Sequence, residues 1–160
     1  MQIDQIYIIA LDGNTEEVQA KISERLETLG LPDGIPYEII VAHNGKKDPI
    51  PDGLAPYSGW NLGEDHWNEW WRRDMLPGEI GCAISHFWAW NRIAQMADDS
   101  KVLILEEDFW GVKPITELKE YSKSWDILIL GHWRFNQDEE VIEYPWVKLD
   151  TFYNSQAYRW

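Results

Sequence analysis

Cysteine is almost missing from this 160-residue chain: Cys82 stands alone, so no intramolecular disulfide can form and a reducing compartment is the expectation. Positive charge is also scarce. Fourteen Lys and Arg face 28 Asp and Glu, a net charge of −14, which argues against a nucleic-acid backbone or an anionic membrane as the main partner. An anionic small ligand is still allowed, because one bound divalent cation reverses the local field. No apolar run approaches the roughly 18 residues needed to cross a bilayer, and no basic stretch followed by an apolar one opens the chain. Repeats, low-complexity tracts and an interior linker are absent as well. The expectation is a soluble, cytoplasmic protein whose residues 1–160 form a single domain, with no nucleic-acid partner, no transmembrane segment and an oligomeric state left open. What is abundant is tryptophan, at 11 residues.

The most telling segment is Lys101-Val102-Leu103-Ile104-Leu105-Glu106-Glu107-Asp108. Four apolar residues in a row read as a buried strand, and the run ends in three carboxylates. Carboxylates gathered there repel one another unless they meet water, a cation or a hydrogen-bonding ligand. In an open α/β sheet, ligands bind at the carboxyl ends of the strands. Side chains two apart on a strand point the same way, which puts Glu106 and Asp108 on one face and turns Glu107 away. The alternative is a solvated acidic loop.

Around this segment the pattern is alternating. Residues 3–11 read as a first buried strand, followed by the turn Asp12-Gly13-Asn14-Thr15. Asn14 with Glu17 three residues on fits a helix N-cap, and the helix spans 15–29 with Val18, Ile22, Leu26 and Leu29 inward until Gly30 stops it. Residues 37–42 make a second strand, closed by His43-Asn44-Gly45, so the order is strand–helix–strand and the sheet is parallel. Residues 46–59 form a loop rich in Pro and Gly, and 60–74 are dense in tryptophan. Pro77-Gly78 opens a long helix over 79–97 with Ile80, Ile84, Phe87 and Trp88 along one face. A short helix at 115–121, a buried strand at 125–131, and antiparallel or edge strands over 141–149 and 151–160 complete the reading. The chain stops within the last of these, which reads as a shortened protein or one whose last elements are missing.

Several strand ends fall in one ligand layer. Asp12, Asn14 and Thr15 lie where a helix N-terminus can meet a nucleotide, although a turn and a cap also explain them. Asn44 can edge a base or belong to a simple turn. His86 either points at a bound ligand or hydrogen-bonds the acidic strand. Cys82, among Ile80, Ala83 and Ile84, reads as a small core residue, and Gly78 and Gly81 as close-packing positions. His132, just past Leu130-Gly131, is a candidate metal or phosphate contact.

Four segments share an order and spacing with a known family. They are Ile6-Tyr7-Ile8-Ile9-Ala10-Leu11; Gly78-Glu79-Ile80-Gly81-Cys82-Ala83-Ile84-Ser85-His86 with Trp90; Leu103-Ile104-Leu105-Glu106-Glu107-Asp108; and Trp125-Asp126-Ile127-Leu128-Ile129-Leu130-Gly131. Together they resemble glycosyltransferase family 25, the group of bacterial lipooligosaccharide galactosyltransferases and collagen galactosyltransferases. Three features depart from that pattern. Ala10-Leu11 replaces Asn-Leu with no Arg before Arg25, Glu107 replaces the middle Asp of the acidic triplet, and the family's C-terminal continuation is absent.

The resemblance implies an α/β, GT-A-like nucleotide-diphospho-sugar transferase fold, a mostly parallel central sheet with helices on both faces. It implies metal-dependent, inverting transfer of a sugar from a nucleotide-sugar donor, UDP-linked, to a hydroxyl of a glycan or glycoprotein acceptor. Asp108 would then bind Mn²⁺ or Mg²⁺, with Glu106 near the ribose or the metal's water shell. Asp126 and Asp150 are the candidate general bases. Trp60, Trp67, Trp70 and Trp71 form either an acceptor shelf, since sugar rings stack on aromatic faces, or a satellite core under a long loop. Trp88, Trp90 and Trp125 are expected in the core. A catalytically inactive sugar- or nucleotide-binding module and a purely structural domain are the rival readings, because a fold does not fix a function.

Overall fold

The computed structural model describes residues 2–111, 115, 127, 140–143 and 146–148. Its centre is a three-stranded parallel sheet of β1 (Gln5–Ala10), β2 (Tyr37–Val41) and β3 (Val102–Glu106) in the order β2-β1-β3. Ile8 pairs with Ile39 on one side and Leu105 on the other. The central strand is buried along nearly its whole length, which is why it reads as a continuous apolar run instead of alternating.

The alternation of side chains sends the two halves of that run to opposite layers. Ile6, Ile8 and Ala10 pack with Val18, Ile22 and Leu29 of the α1 (Glu16–Thr28) layer, along with Leu103, Leu105 and Phe109. Tyr7 and Ile40 pack instead with Ala89 and Ile93 of α2 (Pro77–Ile93). Helices therefore cover both faces, as expected. Ile8 and Ile22 are fully buried, each contributing about 1.5–3 kcal/mol of transfer free energy.

Local chemistry sets the helix ends. Thr15 caps α1, its Oγ1 accepting from Val18 N at 3.2 Å. Asn14 does not, because its Oδ1 takes Gln19 Nε2 instead, at 2.6 Å. Gly30, at φ 59°, occupies the left-handed conformation that ends the helix. Pro77 begins α2, where its missing N–H costs nothing.

The inward face of α2 differs from the expected one. Gly81, Ile84, Ser85, His86 and Ala89 are its buried residues, while Phe87 is exposed. Ile84 turns inward as the spacing predicts, but at Gly81 no side chain fits, because there the helix closes on backbone at the end of β2, as the glycine contacts below show. Trp90 is half exposed and Trp88 only partly buried, so neither is the core residue the sequence suggested.

Residues 42–68 contain no helix or strand and lead to a short 3₁₀ turn, Glu69–Arg72. β4 (Glu140–Glu143) and β5 (Trp146–Lys148) pair antiparallel with each other, so the segment read as one strand over 141–149 is two short ones. The expected helix at 115–121 and strands at 125–131 and 151–160 fall outside the described residues, apart from Ile115 and Ile127.

Candidate functional site

The chain leaves β1 to reach β2 on one side, then returns across β1 to reach β3 on the other. Such a reversal opens a crevice at the carboxyl ends of β1 and β3, the topological switch point. A cavity of about 390 Å³ lies there. It is lined by Ile9 and Leu11 from β1, residues 42–46 after β2, Gly78, Cys82, Ser85 and His86 of α2, and Glu106, Glu107 and Asp108 after β3.

One wall is the junction of β2 and α2, held at backbone contact. A Cβ on Gly81 would lie 2.5 Å from His43 O, and one on Gly45 would lie 1.8 Å from Pro77 O. No side chain fits either position. Gly78, by contrast, has open space around it, so of the two expected close-packing positions only Gly81 is one. Ser85 ties the junction from inside: its Oγ accepts from His43 N at 2.9 Å and donates to Gly81 O at 2.7 Å. The His43 ring packs edge-on against Trp88, and its buried Nε2 has no hydrogen-bond partner among the described residues. Asn44 spends its side chain locally, Oδ1 accepting from Lys46 N at 3.1 Å.

The opposite wall is acidic. β3 ends at Glu106 and a turn follows, closed by Phe109 N donating to Glu106 O at 2.9 Å. Strand alternation therefore stops before Asp108, and Glu107 does not turn away as the sequence suggested. Its Oε2 accepts from Leu11 N at 3.1 Å, so it also lines the cavity. Arg25 of α1 donates to Glu107 O beneath the turn, a cation that sequence spacing gave no reason to place there. Glu106 Oε1 accepts from Cys82 Sγ at 3.5 Å and lies 4.0 Å from His86 Nε2. Asp108 is exposed. Three carboxylates thus converge at the mouth of one cavity, an arrangement suited to a cation or a hydrogen-bonding ligand.

With this geometry in view, comparison with known proteins is decisive. A family model described as "Glycosyltransferase family 25 (LPS biosynthesis protein)" matches residues 3–157. The chain belongs to glycosyltransferase family 25. A "Glycosyltransferase 25 family member" of Drosophila pseudoobscura pseudoobscura is 28% identical over 158 residues, covering 92% of this chain and 23% of its own. One of Anopheles gambiae is 26% identical over 148 residues, 88% of this chain and 24% of its own. The human "Inactive glycosyltransferase 25 family member 3" is 24% identical over 152 residues, 86% of this chain and 23% of its own. The chain thus spans about a quarter of the length of these relatives. No solved structure matches it.

Against the family 25 pattern, the remaining sequence candidates divide. Glu106, Asp108, His86 and Asn44 come together around the cavity. Asp12, Asn14 and Thr15 are exposed in the turn before α1 and do not line it. Asp126, His132 and Asp150 lie outside the described residues, as does Trp125. Cys82, which sequence placed in the core, lines the cavity beside His86. Its partner Glu106 lies 24 residues on, and only the fold joins them. Trp60 and Trp71, both partly buried, pack with ring centroids 4.6 Å apart and planes tilted by 58°, whereas Trp67 is 82% exposed.

Proposed function

We propose that this chain is a GT-A-like domain that transfers a sugar from a nucleotide-sugar, UDP-linked, to a hydroxyl of a glycan or protein acceptor. Family membership supports a transferase. The observation that carries the finer reading is the acidic turn after β3 opening into the cavity at the switch point. Exposed Asp108 and half-buried Glu106 at this mouth suit a hard cation, Mn²⁺ or Mg²⁺, that keeps several waters and takes one or two carboxylates. Bound there, the cation would offset the charge that grows on the departing diphosphate.

The chain's own residues do the rest. Asn44 and Lys46 on the rim, with the buried His43 ring behind them, are the candidates for orienting the nucleotide. Arg25 and Leu11 N hold the acidic turn in place, so the donor meets a preformed wall. A general base takes the acceptor proton as the hydroxyl attacks, inverting the anomeric centre; Asp126 and Asp150 are the candidates. Trp67, 82% exposed in the tryptophan-dense segment, is the candidate for stacking on an acceptor sugar.

Titration of intrinsic fluorescence with UDP, with and without Mn²⁺, tests the donor site, and 11 tryptophans supply the signal. The expected result is manganese-dependent saturation between micromolar and millimolar, roughly −8 to −4 kcal/mol. Asp108→Asn should remove the manganese-dependent part and leave the fold intact; unchanged affinity would remove Asp108 from the metal role.

The names of the inactive relatives favour one second reading, a binding module without turnover. Saturable UDP binding with no transfer or hydrolysis of any UDP-sugar is its signature.

A further inference from the structure

Cys82 and His86 stand one turn apart on the same face of α2, and Glu106 reaches them from the end of β3. One ligand atom from each, a thiol sulfur, an imidazole nitrogen and a carboxylate oxygen, lies within 4.8 Å of the others. The His86 ring is 5% exposed, and its Nδ1 sits 3.2 Å from Cys82 O. A carbonyl only accepts, so this contact suits the tautomer with its proton on Nδ1, and Nε2 faces Glu106 Oε1, 4.0 Å away. Metal-binding histidines are oriented by just such a bond from the other ring nitrogen to a backbone carbonyl.

We propose that Cys82, His86 and Glu106 form a site for a borderline-soft divalent transition metal of the zinc class, distinct in donor set from the hard-cation site at Asp108, with which it shares Glu106. The donor set decides the class, because thiolate and imidazole favour zinc-like ions over magnesium or manganese. The spacing suits it as well. Bonds of about 2.0–2.3 Å in a tetrahedron put ligands roughly 3.3–3.8 Å apart. The Cys82 Sγ–Glu106 Oε1 separation of 3.5 Å already lies in that range, and the His86 Nε2–Glu106 Oε1 separation of 4.0 Å is just outside it. The i,i+4 pair is fixed by the helix, and Glu106 is fixed by the β1–β3 register, so little ordering remains for binding to impose. All three residues line the cavity, which leaves the fourth coordination position facing it, open to water or an anionic ligand oxygen. On binding, the Cys82 thiol gives its proton to solvent and the sulfur–metal bond forms, so affinity rises with pH.

Cobalt(II) added to the whole protein, metal alone and no nucleotide, is the test. A thiolate-to-cobalt charge-transfer band should appear at one equivalent and be displaced by Zn²⁺, and with one cysteine in the chain it can arise only at Cys82. Cys82→Ser should abolish it. His86→Gln and Glu106→Gln should each weaken binding by more than the roughly 10–100-fold that losing a mere orienting group costs. Circular dichroism confirms that each variant is folded. Asp108→Asn should keep the band while losing manganese-dependent UDP binding, which separates this site from the donor reading. Absence of the band in folded wild-type protein, or cobalt affinity unchanged in His86→Gln, would overturn the proposal and show that a proton, not a metal, reconciles the three groups.

Discussion

Gly81 shows how one missing methyl group positions the site. Its absent Cβ would sit 2.5 Å from His43 O and 2.8 Å from Gly45 N, both backbone atoms that cannot swing aside. Gly81→Ala should therefore push α2 off the β2 loop and cost about 1–3 kcal/mol or more, and it should weaken ligand binding in the cavity that this junction walls. Gly78 is the internal control. It lies three residues away in the same helix with nothing within 4 Å of its added Cβ, and its φ is not positive. Gly78→Ala should be neutral or stabilising by about 0.4–1 kcal/mol, since alanine restricts the unfolded chain and favours helix. Denaturant melts of the two variants side by side read the contrast. Equal effects would mean that helix propensity, and not the backbone contact, governs this helix.

At the scale of an element, the start of α2 is tied down by charge. Glu79 accepts both guanidinium nitrogens of Arg73, at 2.7 and 2.8 Å, and also Leu76 N at 2.7 Å. The Arg73 bonds foremost, against opposing burial, hold the Glu79 carboxyl below its usual range. A carboxyl with a lowered folded pKa stabilises fully above its unfolded value, about 4.3, and loses that contribution as pH falls through the folded value. Glu79→Gln should thus cost about 1.5–3 kcal/mol at pH 7, with the gap to wild type closing below about pH 4. A gap that persisted into acid would assign the loss to packing. The same helix marks what the sequence made legible. Its existence, its proline start, both flanking strands and the acidic strand end were all readable, because each rests on local pattern. Which face of α2 turns inward was not. Hydrophobic spacing favours Phe87 and Trp88, but backbone contacts with residues 36 to 42 positions earlier select Gly81 and Ser85 instead. The site divides the same way. The carboxylates announce themselves, while the approach of Cys82 to Glu106 and the placing of Arg25 under the turn depend on how the layers stack.

For the molecule as a whole, the net charge of −14 sets the field that any anionic ligand must enter. A nucleoside diphosphate is itself anionic, so without a divalent cation its approach is opposed by the protein at long range. Salt shortens that range from about 30 Å at 0.01 M to about 8 Å at 0.15 M. UDP alone should therefore bind more tightly as salt rises across that interval, the reverse of a basic phosphate site. Binding of Mn²⁺ alone should weaken over the same interval, because its attraction to the acidic surface is screened. The metal–nucleotide pair, nearly neutral together, should respond least. Fluorescence titrations at the two salt levels read all three. If UDP alone weakened with salt, the local field would be positive, set by Lys46 on the rim and Arg25 beneath the acidic turn. The cation would then be dispensable for holding the diphosphate, and Asp108 would need another role.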